Sequence, residues 1–274
     1  MDRRTFLAGT GAVLLAAPLA AEGQQAKRLP RLCFLTFDPG TTQSNRFTPF
    51  FQRLRDLGYV DGQTMTIDYL SAEGRGERFP AFAAECVSSK ADIIVVTTTP
   101  AAHAAKNATG TIPIVMHMLG DPVATGLVAS LARPGENVTG VTIMASGLSA
   151  KRLELLKQAV PRLSRALVLS YLVDPIAAPQ VKELETAARS LGVKLLIQDI
   201  RTGDDLPAAF DAGARWHADG LLTTAESILV VQRKRIVELA SQHRLPALYP
   251  YRVVVDSGGL MAWSSTSRRL GRSA

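Results

Sequence analysis

Short apolar runs rich in β-branched residues alternate along this chain with longer stretches of helical periodicity, and the whole rhythm occurs twice. In the first half, residues 32–36, 65–70, 92–96, 112–116 and 138–143 read as strands. Between them, 47–57, 79–88, 100–108 and 123–131 carry the helical period, with Gly58 ending the first helix and Pro100 opening the third. The second half restarts with a helix over 148–160, a strand over 166–169 and a helix over 179–191 closed by Gly192. Strand 193–199, helix 206–216, strand 221–223, a long helix 228–243, a short strand 247–248 and a small helix or turn at 253–256 follow. Such β-α-β-α order needs crossover connections, which place helices on both faces of a parallel sheet. The predicted fold class is therefore α/β: two Rossmann-like lobes with parallel sheets, over 24–143 and 144–257. No close sequence repeat relates the lobes and no Pro/Ser-rich linker separates them, so they form a close-coupled pair.

In sheets of this kind a ligand sits outside the carboxyl ends of the strands, where helix N-termini and backbone amides are available. The loops at those ends are residues 36–42, 97–100 and 119–122 in the first half, and 171–175, 224–227 and 249–251 in the second. Hydroxyls, carboxylates and aromatic rings recur in them, a mixture suited to a small polar molecule with an apolar part. Any one Ser, Thr or Asp there can equally cap a helix. The set converging from two lobes argues for a binding cleft.

The first twenty-three residues carry a separate message. Arg3-Arg4-Thr5-Phe6-Leu7 precedes an Ala- and Leu-rich run to Leu19, and Ala21-Glu22-Gly23 leads into Gln24-Gln25. A charged start, an apolar middle and a small-residue exit read as an export signal, cleaved near Gly23–Gln24. Arg3, Arg4, Phe6 and Leu7 point to the twin-arginine route, although Asp2 stands where Ser or Thr usually precedes the pair. The apolar run is about 13 residues long and contains Pro18, whereas a membrane span needs roughly 20. The predicted location is periplasmic. The formal charge is +7, and residues 1–23 contribute two Arg against Asp2 and Glu22, so the balance survives cleavage. Lys and Arg are spread through amphipathic segments, and the densest cluster, Arg233-Lys234-Arg235, reads as a solvated helix face rather than a nucleic-acid stripe. Cys33 and Cys86 fall in an apolar strand and a helix and read as buried free thiols; an oxidising compartment would also permit their pairing.

Nothing in the sequence calls for a catalytic centre or a cofactor. His103, His117, His217 and His243 lack metal-ligand spacing, and there is neither a G-x-S-x-G elbow nor a phosphate-binding G-x-x-x-x-G-K-[ST] loop. His117 reads as a hydrogen-bonded structural histidine. Two other classes remain as alternatives: a small-molecule-processing α/β enzyme with its residues hidden in loops, and the effector-sensing domain of a regulator, which shares the two-lobed fold. The latter needs a DNA-binding helical pair, where this chain has an export signal.

Several runs carry a family likeness. They include the N-terminal segment, Leu54-Arg55-Asp56-Leu57-Gly58-Tyr59-Val60-Asp61-Gly62-Gln63, Thr99-Pro100-Ala101-Ala102 and Thr111-Ile112-Pro113-Ile114-Val115. The most specific is the stretch 120–135, from Gly120-Asp121-Pro122-Val123 to Arg133-Pro134-Gly135, continuing into Asn137-Val138-Thr139-Gly140-Val141. Lys151-Arg152-Leu153-Glu154-Leu155-Leu156-Lys157, His243-Arg244-Leu245-Pro246-Ala247 and Gly258-Gly259-Leu260-Met261 add to it. In these the chain resembles the exported substrate-binding proteins of ABC transporters, in the group with tryptophan-type binding proteins. The resemblance implies a periplasmic-binding-protein type 1 architecture that clamps a small molecule, an amino acid or aromatic compound, between its lobes. The implied partners are that ligand, an inner-membrane permease and the export machinery, with no nucleic acid. By loop position, Thr36, Thr98, Thr99 and Asp121 are the first-lobe contacts, and Tyr171, Asp174, Glu226, Ser227 and Tyr249 the second-lobe ones. The resemblance also implies that residues 258–274 return to the first lobe. Relatives continue beyond Met261 with a further strand, helix and crossing, so the last crossover is expected to be missing here and stability to be reduced.

Overall fold

The computed structural model describes residues 28–38, 47–142 and 148–264. The export-signal residues Arg3, Arg4, Phe6, Leu7 and Gly23 lie outside the described residues, as do most of 36–42 and all of 265–274. Among the described residues the chain forms two five-stranded sheets. The first contains β1 (Arg31–Thr36), β2 (Thr66–Ser71), β3 (Ile93–Val96), β4 (Ile114–Leu119) and β5 (Val138–Thr142). Its helices are α1 (Thr48–Asp56), α2 (Phe79–Ser88) and α3 (Thr99–Ala108). The second contains β6 (Arg165–Ser170), β7 (Lys194–Asp199), β8 (Gly220–Thr223), β9 (Ala247–Tyr249) and β10 (Met261–Ala262). Around it lie α4 (Leu148–Ala159), α5 (Ala177–Leu191), α6 (Asp205–Arg215), α7 (Ser227–Val231), α8 (Arg233–Gln242) and α9 (Arg252–Val255).

All strand pairs within the two sheets are parallel. The first sheet runs β2-β1-β3-β4-β5 and the second, read from its other edge, β7-β6-β8-β9-β10. Strand for strand these are the same order, so the two lobes repeat one doubly wound topology without close sequence similarity. Each order reverses direction beside its first strand, between β1 and β3 and between β6 and β8, and that is where such sheets open a crevice. The strands are apolar on both faces because helices cover both; β6, for instance, is buried from Ala166 through Ser170.

Five expectations are corrected. Residues 123–131 are a series of turns rather than a helix. The Asp121 carboxylate accepts the Val123 and Ala124 amides at 3.0 Å and starts a turn, which Gly126, in the left-handed region at φ 74°, ends at once. The expected long helix over 228–243 is α7 and α8, broken at Gln232. Met261–Ala262 pairs with β9 as the edge of the second sheet rather than returning to the first lobe. Cys33 and Cys86 are not free thiols: they form a disulfide, with Cα atoms 5.8 Å apart, pinning α2 to β1. In the basic cluster only Lys234 and Arg235 are solvated; half-buried Arg233 donates to Ser257 Oγ and the Val230 carbonyl.

Candidate functional site

The switch points of the two sheets face each other, and the lobes touch there. Phe37, just past β1, meets Tyr171, just past β6, edge to face with ring centroids 6.1 Å apart. Gly76 lies under this pair: a Cβ there would stand 2.6 Å from the Tyr171 hydroxyl. At the end of β4, a Cβ on Gly120 would stand 2.7 Å from Ile176 Cγ2, a second approach of one lobe to the other.

On the first-lobe side the buried polar residues are Thr36, Asp38, Thr97, Thr98 and Thr99. Thr36 Oγ1 accepts the Asp38 amide at 3.1 Å and shapes the turn after β1. Thr98 caps α3, its hydroxyl accepting the Ala101 amide at 3.2 Å. Thr99 opens that helix and is 3% exposed. The partial positive charge of a helix N-terminus and two threonines therefore meet at the end of β3. Asp121 acts mainly as the turn cap described above.

The second-lobe side is more polar and more deeply buried. Asp174 is 2% exposed and Glu226 is fully buried. Asp174 Oδ1 accepts the Ile176 amide at 3.1 Å. Glu226 Oε1 accepts from Gln180 Nε2 at 3.0 Å, and its other oxygen accepts from the Thr224 hydroxyl. Gln180 is itself fixed, accepting the Ala225 amide and donating to the Ile176 carbonyl, each at 3.0 Å. Burial pushes Asp174 up to about 7 and Glu226 up to about 8, the neighbouring Asp174 charge adding to the latter. Burial also raises the Tyr171 phenol, with Asp174 reinforcing it.

Of the nine residues expected by loop position, Thr98 and Thr99 stand together on one side, and Tyr171, Asp174 and Glu226 on the other. Ser227 is half-buried at the start of α7. Tyr249 is a core residue, 1% exposed, with its ring over Gly259. It borders a cavity of about 10 Å³ with Thr223, Thr224 and Val254, room for a single water rather than a ligand. Sequence reasoning missed Arg152 and Gln180. Arg152, on α4, is 3% exposed, donates to Ser149 Oγ at 2.8 Å and is drawn electrostatically towards Tyr251, Glu226 and Glu183. A buried arginine on a helix looks like any surface arginine in sequence; only the apolar residues flanking it at helical spacing hinted at its direction. Among the described residues no group of His, Cys, Asp or Glu is arranged to hold a metal ion. No helix there is long and apolar enough to cross a membrane.

Two parallel, doubly wound lobes with a polar cleft between their switch points define a two-lobed small-molecule-binding fold of the periplasmic-binding-protein type. Residues 43–274 match the profile of the ABC transporter substrate binding protein family, and the chain belongs to that family. It is 30% identical over 225 residues to a tyrosine-binding protein of Clostridioides difficile strain R20291, covering 82% of this chain. The chain spans 64% of that relative's length. Two solved structures share the fold: a conserved domain protein of Vibrio cholerae (TM-score 0.76, 24% identity, 86% of this chain and 79% of that one), and a Streptococcus pneumoniae ABC domain in complex with L-Trp (TM-score 0.75, 21% identity, 87% and 79%). A ligand-free, open substrate binding protein with adhesive properties from Clostridium difficile is 27% identical, with a TM-score of 0.52 over 85% of this chain and 78% of that one.

Proposed function

We propose that this chain is the substrate-binding component of an ABC uptake transporter, holding an amino acid between its lobes in the periplasm and presenting it to an inner-membrane permease. The observation that carries this reading is the polarity of the cleft: buried carboxylates Asp174 and Glu226 on one side, hydroxyls Thr98 and Thr99 at the N-terminus of α3 on the other. A zwitterion matches both ends, its ammonium on the carboxylates and its carboxylate on the hydroxyls and helix amides. Phe37 and Tyr171 supply ring faces between them, and the named ligands of relatives, tyrosine and L-Trp, favour an aromatic side chain. Export through Arg3 and Arg4, with cleavage near Gly23, accounts for a disulfide that an oxidising compartment sustains.

Thermal-shift and calorimetric titration of the chain from Gln24 onward against the amino acids tests the proposal. Saturable binding of L-tyrosine or L-tryptophan is expected. Asp174→Asn and Glu226→Gln should each weaken it about tenfold to a hundredfold, as for the loss of a hydrogen bond to a charged group. A cooperatively folded chain that takes up no amino acid overturns the reading.

A further inference from the structure

We propose that Gln180 is a positioning residue for ligand capture: its side-chain amide sets Glu226 in place before the ligand arrives and ties it to the turn that carries Asp174. This rests on the amino-acid reading above and adds to that site a residue that acts through Glu226 rather than on the ligand.

Gln180 stands in the first turn of α5 and is 6% exposed, so its polar atoms must find their partners within the protein. Its amide nitrogen donates to Glu226 Oε1 and to the Ile176 carbonyl, and its amide oxygen accepts the Ala225 amide, each at 3.0 Å. Glu226 and Ala225 lie 46 and 45 residues away, in the loop after β8, so these bonds join separate elements. The partners also fix which way round the amide sits. An N–H calls for the oxygen, and a carbonyl and a carboxylate oxygen call for the NH2, so a flipped amide would lose all three bonds. A side chain rich in rotamers is thereby held in one orientation, and the cost of ordering it falls on folding rather than on binding.

Two paths lead from this amide to the cleft. The first is direct. Glu226 Oε1 is held by Gln180 and its other oxygen by the Thr224 hydroxyl. Thr224 is anchored in turn, its amide donating to the Leu169 carbonyl of β6 at 3.1 Å. Ala225 is pinned on its far side, its carbonyl accepting the Tyr251 hydroxyl at 3.1 Å. The second path runs through Ile176, whose carbonyl accepts from Gln180 and whose amide donates to Asp174 Oδ1 at 3.1 Å. One amide thus braces the loop after β8 against the turn after β6, and a cleft carboxylate is fastened at each end of the brace. The two oxygens of a carboxylate offer about four lone-pair sites, so the bonds from Gln180 and Thr224 leave Glu226 with capacity for an ammonium. An acceptor already in place raises affinity because the ligand does not have to order it.

The test uses the chain from Gln24 and has a ligand-free arm. In ¹⁵N spectra of the empty protein the Gln180 side-chain amide protons should exchange slowly with solvent, and the Ala225 amide should be protected. Titration with L-tyrosine should shift the Gln180 side-chain signals, because the ammonium binds the carboxylate they hold. In calorimetry, Gln180→Met, which keeps the length and removes every polar atom, should weaken L-tyrosine about tenfold, as for the loss of a hydrogen bond to a charged group. In a Glu226→Ala background the same substitution should cost less than about twofold, because the group it positions is gone. Equal losses in both backgrounds would make Gln180 structural only and overturn the proposal, as would wild-type affinity in Gln180→Met. If that variant does not fold, the wild-type spectra decide: a shift on binding upholds the proposal, and fast exchange or signals unmoved by bound L-tyrosine overturn it. Slow exchange and a protected Ala225 amide, with no uptake of any amino acid, uphold the brace and overturn the amino-acid reading instead.

Discussion

Phe37 and Tyr171 meet edge to face across the two lobes at 6.1 Å, so the cleft is held together by an aromatic contact that does not depend on a ligand. Such a pair contributes about 0.5–1.5 kcal/mol beyond the area it buries. Tyr171→Ala should therefore weaken ligand affinity about twofold to tenfold and increase the radius of gyration in small-angle scattering of the empty protein. Gly76→Val should act in the same direction by forcing the Tyr171 hydroxyl away. An unchanged radius of gyration in both variants would show that the contact does not hold the lobes.

The raised carboxylates make folding stability depend on pH. Asp174 and Glu226 ionise near 3.8 and 4.5 in ordinary surroundings, but near about 7 and about 8 here. Between those limits the folded chain holds protons that the unfolded chain has released, so the stability they contribute is complete below about pH 4 and lost as the pH rises through about 8. Glu226→Gln removes the Glu226 share of this dependence and leaves that of Asp174. Its stability relative to wild type, from urea denaturation, should improve by about 3 kcal/mol between pH 5 and 8. A constant difference across that range would count against the shift.

The Cys33–Cys86 disulfide spans 53 residues and joins β1 to α2 beneath the first-lobe side of the cleft. Closing a loop of that length in the unfolded chain is worth about 4 kcal/mol in the chain-entropy account. The Cys33→Ala, Cys86→Ala double variant should accordingly melt well below wild type, and wild type with reductant should match it. Equal melting temperatures with and without reductant would show that the bond does not stabilise the fold.

Gly140 is the tightest backbone contact of the first sheet. At φ 141°, its position would set a Cβ 2.2 Å from the Met116 carbonyl oxygen, beside the irregular register between β4 and β5. Gly140→Ala should cost at least about 2 kcal/mol, because backbone rather than a movable side chain must yield. Thermal denaturation checks this, with Gly62→Ala as a control for left-handed strain alone: nothing lies within 4 Å of a Cβ at Gly62.

Much of the fold was legible because it rests on local signals. Runs such as Ile93–Val96 and Arg165–Ser170 are apolar on both faces, which in a chain of this rhythm leaves a helix-covered parallel sheet as the answer. Prediction failed where a short-range interaction overrode periodicity: the Asp121 turn cap and Gly126 ended a helix that the apolar pattern at 123–131 suggested. It failed again at Met261–Ala262, because the sheet that a two-residue strand joins is settled by which edge is open.

The candidate site divides in the same way. Thr98 could be placed because the end of a strand followed by Pro100 marks a helix start, and Asp174 and Glu226 because they follow strands directly. Arg152, Gln180 and the Tyr249 core position could not. Their roles depend on which way a side chain points from a helix or strand end, and neighbours in sequence do not record that.

By itself, then, the amino-acid sequence determined the element order, the parallel α/β class, two lobes and the loops from which a cleft could be built. Each of these follows from hydrophobic periodicity and turn chemistry, which act over a few residues. Only the tertiary structure decided that both lobes share one strand order, that Cys33 reaches Cys86, that Phe37 meets Tyr171 and that Asp174 and Glu226 are both buried with no ion-pair partner among the described residues. Those depend on distances between residues dozens of positions apart, which the packing of helices on sheets sets and no local pattern encodes.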